Sequence, residues 1–162
     1  MANAAYIRLD LPDEATQLFS KVQSDIHATT PTKKINRGLD VYLYGSPDSC
    51  TEFSRIVARE KANDIKALLA DAQLKPSKAQ SSRPSVYGLD RGGFHTEPGY
   101  IGMGVLVSTT TPISIISKQG TQHLNWKTGE CLLIMGGTKV DFEEEEGNRF
   151  LYYFTMIPVE YI

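Results

Sequence analysis

Apolar residues recur at helical spacing in the first half of the chain and at alternating or continuous spacing in the second. From Asp13 to about His27, Ala15, Leu18, Phe19, Val22 and Ile26 return every three or four positions, the period of one helix face. Pro12 suits the first turn of such a helix, and Thr29-Thr30-Pro31-Thr32 ends it. Leu39, Val41 and Leu43 alternate with Asp40, Tyr42 and Tyr44, which predicts a strand closed by Gly45-Ser46-Pro47-Asp48. Ser49 and Glu52 have capping-box spacing. Phe53, Ile56, Val57, Ile65, Leu68 and Leu69 then predict one helix running to about Ala72.

The polar stretch 75–84 reads as a connector inside one domain, because neither flank is long enough for a core of its own. Beyond it the pattern predicts strands over 85–89, 93–97, 102–108, 113–118, 122–125, 131–135, 138–142 and 149–157, separated by short turns. Many short strands at regular spacing point to a sandwich or small barrel. Glu143 to Glu146 read as a solvated hairpin tip.

Composition narrows the function more than the fold. A chain of 162 residues suits a single domain, 1–162. A net charge of −2 and a pI near 5.9 give no basic field for nucleic acid or an anionic membrane surface. Lys33, Lys34 and Arg37 read as a solvated loop. The apolar runs fall short of a membrane span, and no charged-then-apolar leader opens the chain. Cys50 and Cys131 lack CxxC partners and read as two reduced thiols of a cytoplasmic protein. Cys131, in an apolar run, reads as a buried strand residue.

The candidate chemistry begins at His95-Thr96-Glu97. Two metal-capable side chains at i and i+2 share one face of a strand. With Gly92-Gly93-Phe94 before them and Pro98-Gly99-Tyr100 after, they resemble the opening of the iron site in non-haem Fe(II)/2-oxoglutarate-dependent oxygenases. The order of elements from about Arg83 to Pro158 is similar to the C-terminal jelly-roll half of that family. Met103 to Val107 resembles its apolar strand, and Ile115 to Trp126 its paired strands. Lys127 to Gly137 resembles its turn, glycine and apolar strand. Arg149-Phe150-Leu151 resembles its Arg-x-Ser motif, and Tyr152 to Pro158 its closing aromatic strand. The cupin superfamily is the second resemblance.

The resemblance implies an α+β fold: a mainly helical N-terminal support, 1–75, packed on a double-stranded β-helix over 83–158. It also implies iron(II) held by His95 and Glu97, with Arg149 holding the far carboxylate of 2-oxoglutarate. Three protein ligands on one face of iron leave three positions for cosubstrate and oxygen. The planar fork of arginine binds a carboxylate through two hydrogen bonds.

The departures are specific. The family's distal histidine lies about nine residues before its arginine, and that count lands on Val140, which cannot ligate. Leu151 stands where the family has serine. Asp141 lies on the opposite strand face from Val140, and His123 belongs to another strand.

Three functions follow. The first is a metal-free isomerase or cyclase acting on a small molecule, with His95 as acid or base, Glu97 orienting it and Arg149 stabilising negative charge. Such an enzyme needs no cofactor. The second is an oxygenase with a reduced ligand set, using Fe(II) and 2-oxoglutarate. The third is a non-catalytic small-molecule-binding jelly roll, or one that forms a homodimer through an exposed strand edge. The apolar 131–135 strand is the candidate edge, and Pro158 to Ile162 a candidate docking tail. Arg91, Tyr87, Tyr100, Trp126 and Tyr152 are candidate substrate-binding residues, with core packing as the alternative for the aromatic ones. Arg149 bridging to Glu97 is an alternative to anion binding. His27 reads as a helix C-terminal residue favoured by the dipole.

Overall fold

The computed structural model describes residues 4–78, 81, 84–143 and 149–162. The expected hairpin tip falls, beyond Glu143, outside the described residues. In chain order the elements are β1 (Tyr6–Leu9), α1 (Asp13–His27), β2 (Thr32–Asn36), β3 (Leu39–Tyr44), α2 (Asp48–Glu60), α3 (Ala62–Asp71), β4 (Leu74–Pro76), β5 (Ser85–Leu89) and β6 (Gly92–His95). They continue with β7 (Tyr100–Leu106), β8 (Thr111–Ser117), β9 (Gly120–Trp126), β10 (Cys131–Ile134), β11 (Lys139–Phe142) and β12 (Phe150–Tyr161).

The first helix lies where periodicity put it, with Pro12 at its N-cap. The second departs from expectation. It begins after Pro47, and no side chain caps it. Ser49 is instead buried, at 3% exposure. The expected single helix is broken into α2 and α3 at Lys61, where φ −108° and ψ 8° leave the helical range.

The strands form two antiparallel sheets. The major sheet runs β1-β10-β7-β12-β5-β3-β2, with β4 also on β12; the minor sheet runs β6-β11-β8-β9. The N-terminal half is therefore not only helical support. It contributes β1 to β4 to the major sheet.

Two cores result. The helices cover one face of the major sheet, where Ala15, Val22, Phe53 and Val57 meet Val105, Cys131, Leu133, Leu151 and Tyr153. The other face meets the minor sheet, gathering Leu106, Leu132, Phe150 and Tyr152 with Ile113, Ile115, Trp126, Val140 and Phe142. This explains the continuous apolar runs in β10 and β12. Cys131 and Leu133 enter the first core while Leu132 and Ile134 enter the second, so neither face of the strand meets water.

Strand edges also differ from expectation. β10 is not an exposed edge: it pairs with β1 on one side and β7 on the other. The closing tail is likewise engaged, with Val159, Glu160 and Tyr161 paired to β4, although Tyr161 and Ile162 keep 82% and 75% of their surface exposed. The basic residues at 33 and 34 lie on the edge strand β2, not in a loop. Arg37 (φ 51°) and Gly38 (φ 78°) make the turn into β3. Lysines on an edge discourage pairing with another chain. No helix among the described residues is long and apolar enough to cross a membrane.

Both cysteines are buried and free. Burial pushes the Cys50 thiol up to about 11 and the Cys131 thiol up to about 12. Native protein is expected to resist iodoacetamide at neutral pH and to react at both thiols once unfolded in guanidinium; mass spectrometry reads the difference. Because the unfolded thiols lose protons first, their contribution to stability is intact below about pH 8.5 and is lost as pH rises toward the folded values.

Candidate functional site

The site implied by His95 and Glu97 depends on which face of β6 looks inward. β6 is an edge of the minor sheet and pairs with β11, placing Phe94 opposite Val140, His95 opposite Lys139 and Gly93 opposite Asp141. Val140 is completely buried and belongs to the core between the sheets, and Phe94 packs on that core. The alternate positions therefore face solvent: His95 and Glu97 are exposed, while Thr96 between them is fully buried. The expected inward pair is thus corrected by one residue, since a one-position change of face turns every side chain over.

Local hydrogen bonds fix this choice. The Thr96 N–H donates to the Thr138 carbonyl at 3.0 Å, and the Gly137 N–H donates to the Thr96 carbonyl at 2.7 Å. Gly93 permits the close approach of β6 to β11, because a Cβ there would stand 1.8 Å from the Val140 carbonyl oxygen.

Aromatic rings in mutual contact occupy the interior between the two sheets. Tyr87 stacks on Tyr152 at 5.6 Å between centroids, and Tyr152 stacks on Phe94 at 4.4 Å with planes 16° apart. Tyr87 and Tyr152 belong to the major sheet and Phe94 to the minor, so three stacked rings bridge the two layers. Phe154 meets Phe94 edge-on at 5.0 Å, and Phe142 stacks on Phe150 at 4.6 Å. Gly102 makes room for Phe154, whose ring would lie 2.6 Å from a Cβ at that position. Trp126 is fully buried, and its indole N–H donates to the Glu130 carbonyl at 2.9 Å. Burial, and secondarily Tyr87, raises the Tyr152 phenol far above its ordinary range. It stays protonated.

Arg149 lies on the other side of the major sheet. It shares the helix-facing side with Leu151 and Tyr44, as shown by the side chains that a Cβ on Gly88 would touch. Its Nε donates to Asp90 at 3.1 Å, its Nη1 donates to the Tyr44 hydroxyl at 3.2 Å, and its guanidinium carbon lies 3.4 Å from the Tyr42 ring centre. The bond to Tyr44, then that to Asp90, holds the group charged. Asp90, Tyr42 and Tyr44 were not legible as partners, because they meet Arg149 only through the strand order β12-β5-β3. Arg149 is not bridged to Glu97.

The remaining candidates are scattered. Arg91 is exposed. Tyr100 is half-buried and lines a cavity of about 420 Å³ at one end of the roll, which none of His95, Glu97 and Arg149 reaches. His123 is exposed on β9 and bonds Ser114 at 3.0 Å.

These residues do not fit an iron(II) centre. Phe94 and Val140 occupy the inward positions, and neither offers a donor atom. The polar atom that does enter is the Thr96 hydroxyl, buried without a partner among the described residues; a neutral hydroxyl is a poor iron ligand. Among the described residues no group of three or more His, Cys, Asp or Glu side chains could hold a metal ion.

No protein-family model matches the chain, and no curated protein matches its sequence. Its fold does match solved structures. A 2OG-Fe(II) oxygenase family oxidoreductase from Burkholderia pseudomallei aligns with a TM-score of 0.63 over 95% of this chain and 85% of that one, at 9% identity. A prolyl hydroxylase from Trichoplax adhaerens, bound to a hypoxia inducible factor peptide fragment, aligns at 0.66 over 95% and 83%, with 6% identity. The dioxygenase for auxin oxidation from Arabidopsis thaliana, in complex with 2-oxoglutarate, aligns at 0.62 over 96% and 84%, with 8% identity. At these identities the likeness is one of fold, and the chain has the double-stranded β-helix architecture of the Fe(II)/2-oxoglutarate oxygenases.

Proposed function

We propose that this chain is a non-catalytic binding protein built on an oxygenase-type jelly roll whose interior has become packed core. The carrying observation is the stack Tyr87–Tyr152–Phe94, which joins the two sheets where a reaction chamber needs open volume. Catalysis inside a roll requires a cavity lined by a few convergent polar groups. Here the convergent groups are rings, and the polar pair His95 and Glu97 faces water. The same geometry weighs against the metal-free isomerase, because an imidazole and carboxylate on an open sheet face have no walls to orient a substrate or exclude solvent.

Titration of the purified protein with iron(II) and 2-oxoglutarate under nitrogen is the test. The expected result is no charge-transfer absorbance and no rise in melting temperature, with His95→Ala and Glu97→Gln behaving like wild type. A stoichiometric absorbance band lost in either variant would overturn the proposal.

A further inference from the structure

We infer that the opening beside Arg149, on the helix side of the major sheet, is a binding site for a small phosphate monoester. The inference rests on the binding-protein reading and gives that reading a ligand and a place. The opening has a volume of about 500 Å³ and is walled by α1, β3, the start of β12 and the loops at 107–109 and 128. That space is broadly open to solvent and admits more than a bare inorganic ion.

Its polar groups divide into two sets. One set is committed to holding the wall together. Gln23 donates to the Val107 carbonyl at 2.9 Å, Thr128 donates to the Ser108 carbonyl at 2.7 Å, and Ser108 Oγ accepts the Leu151 N–H at 3.0 Å. The other set faces the space. Arg149 is held by Tyr42 beneath it, Tyr44 at Nη1 and Asp90 at Nε, so its fork is oriented before any ligand arrives. Nη2 keeps its donors without a protein acceptor among the described residues. His27 and Thr109, both exposed, add an imidazole and a hydroxyl from two further segments.

Among the described residues that line the opening none is a carboxylate, and Asp90 bonds Arg149 Nε from outside that lining. An arginine fork with nitrogen and hydroxyl donors arriving from separate directions suits a tetrahedral oxyanion better than a planar one. A phosphate monoester near neutral pH carries about −1.5 to −2 charges and three acceptor oxygens. The half-buried Tyr44 ring leaves apolar wall for the ester's organic part. This place is separated from the interior of the roll by the major sheet itself.

Titration calorimetry of the full chain with glycerol 3-phosphate, inorganic phosphate and succinate tests the assignment. Glycerol 3-phosphate is expected to bind more tightly than either of the others. Arg149→Gln should weaken it about 10- to 100-fold, the worth of a charge-assisted hydrogen bond. His27→Ala, at an exposed position, should weaken it several-fold without altering the melting temperature. Three results would overturn the site: no heat at millimolar glycerol 3-phosphate, unchanged affinity in both variants, or succinate binding more tightly than the phosphates. None of these touches the ring-packed interior, which the iron titration tests separately.

Discussion

Phe94→Ala is expected to lower the melting temperature by about 10 °C, whereas His95→Ala, one residue along, should leave it within about 2 °C. Phe94 touches the rings of Trp126, Phe142, Tyr152 and Phe154, at centroid distances of 6.3, 6.1, 4.4 and 5.0 Å. Truncating a buried phenylalanine costs about 3–5 kcal/mol, and Phe94, being half-buried, belongs near the lower figure. In a chain of this length each kcal/mol moves the midpoint by about 2–4 °C. His95 is exposed on the outer side of an edge strand, where substitutions stay within about 0.5 kcal/mol. Thermal denaturation of both variants by circular dichroism checks the contrast. If His95→Ala proved the more damaging, the face assignment of β6, and the packed-core reading with it, would be wrong.

That contrast also shows where the sequence was readable. α1 and the strands from β5 to β12 announce themselves because their apolar residues repeat with a period or fill a short run between turns. β2 gives no such signal. All five of its residues are exposed, so no buried face imposes alternation. The break at Lys61 has neither glycine nor proline to mark it. Around His95 the difficulty is one of parity. β6 holds two glycines, one phenylalanine and one histidine, and a single large apolar side chain is too little to establish which face is inside. Val140 was legible as inward, since Val140 and Phe142 alternate with Lys139 and Asp141. Its pairing with Phe94 was not, because cross-strand register depends on turns and packing far from either strand.

The major sheet serves two cores at once, which is how a jelly roll of this architecture accommodates a ring-packed interior. Its two faces serve different cores, and β12 contributes to both: Leu151 and Tyr153 to the helices, Phe150, Tyr152 and Phe154 to the roll. Filling the roll with rings adds buried apolar area and removes the open volume that chemistry requires. On the proposed binding-protein reading, the rings that occupy the chamber are also part of the core that holds the two sheets together.

Val140→His is the sharper test of whether a ligand set lies dormant. It supplies a histidine at the position where the oxygenase resemblance expects one. Were His95 and Glu97 turned inward, the variant should gain iron(II) affinity and be stabilised by the metal in proportion to the logarithm of its concentration. The structure predicts the opposite. Val140 is fully buried against Phe94 on β6 and Ile115 on β8, so the imidazole would enter a largely apolar core. Desolvation costs about 1–3 kcal/mol and overpacking about 1–3 kcal/mol more. The melting temperature should fall by about 10 °C and fail to recover with added iron(II). The deficit should also deepen in acid. A buried imidazole takes up its proton at lower pH than an exposed one, so the unfolded state binds protons first and stability drops as pH falls below about 6.5. Recovery of the lost stability by micromolar iron(II) would instead mean that the imidazole finds His95 and Glu97 on its own side of the sheet.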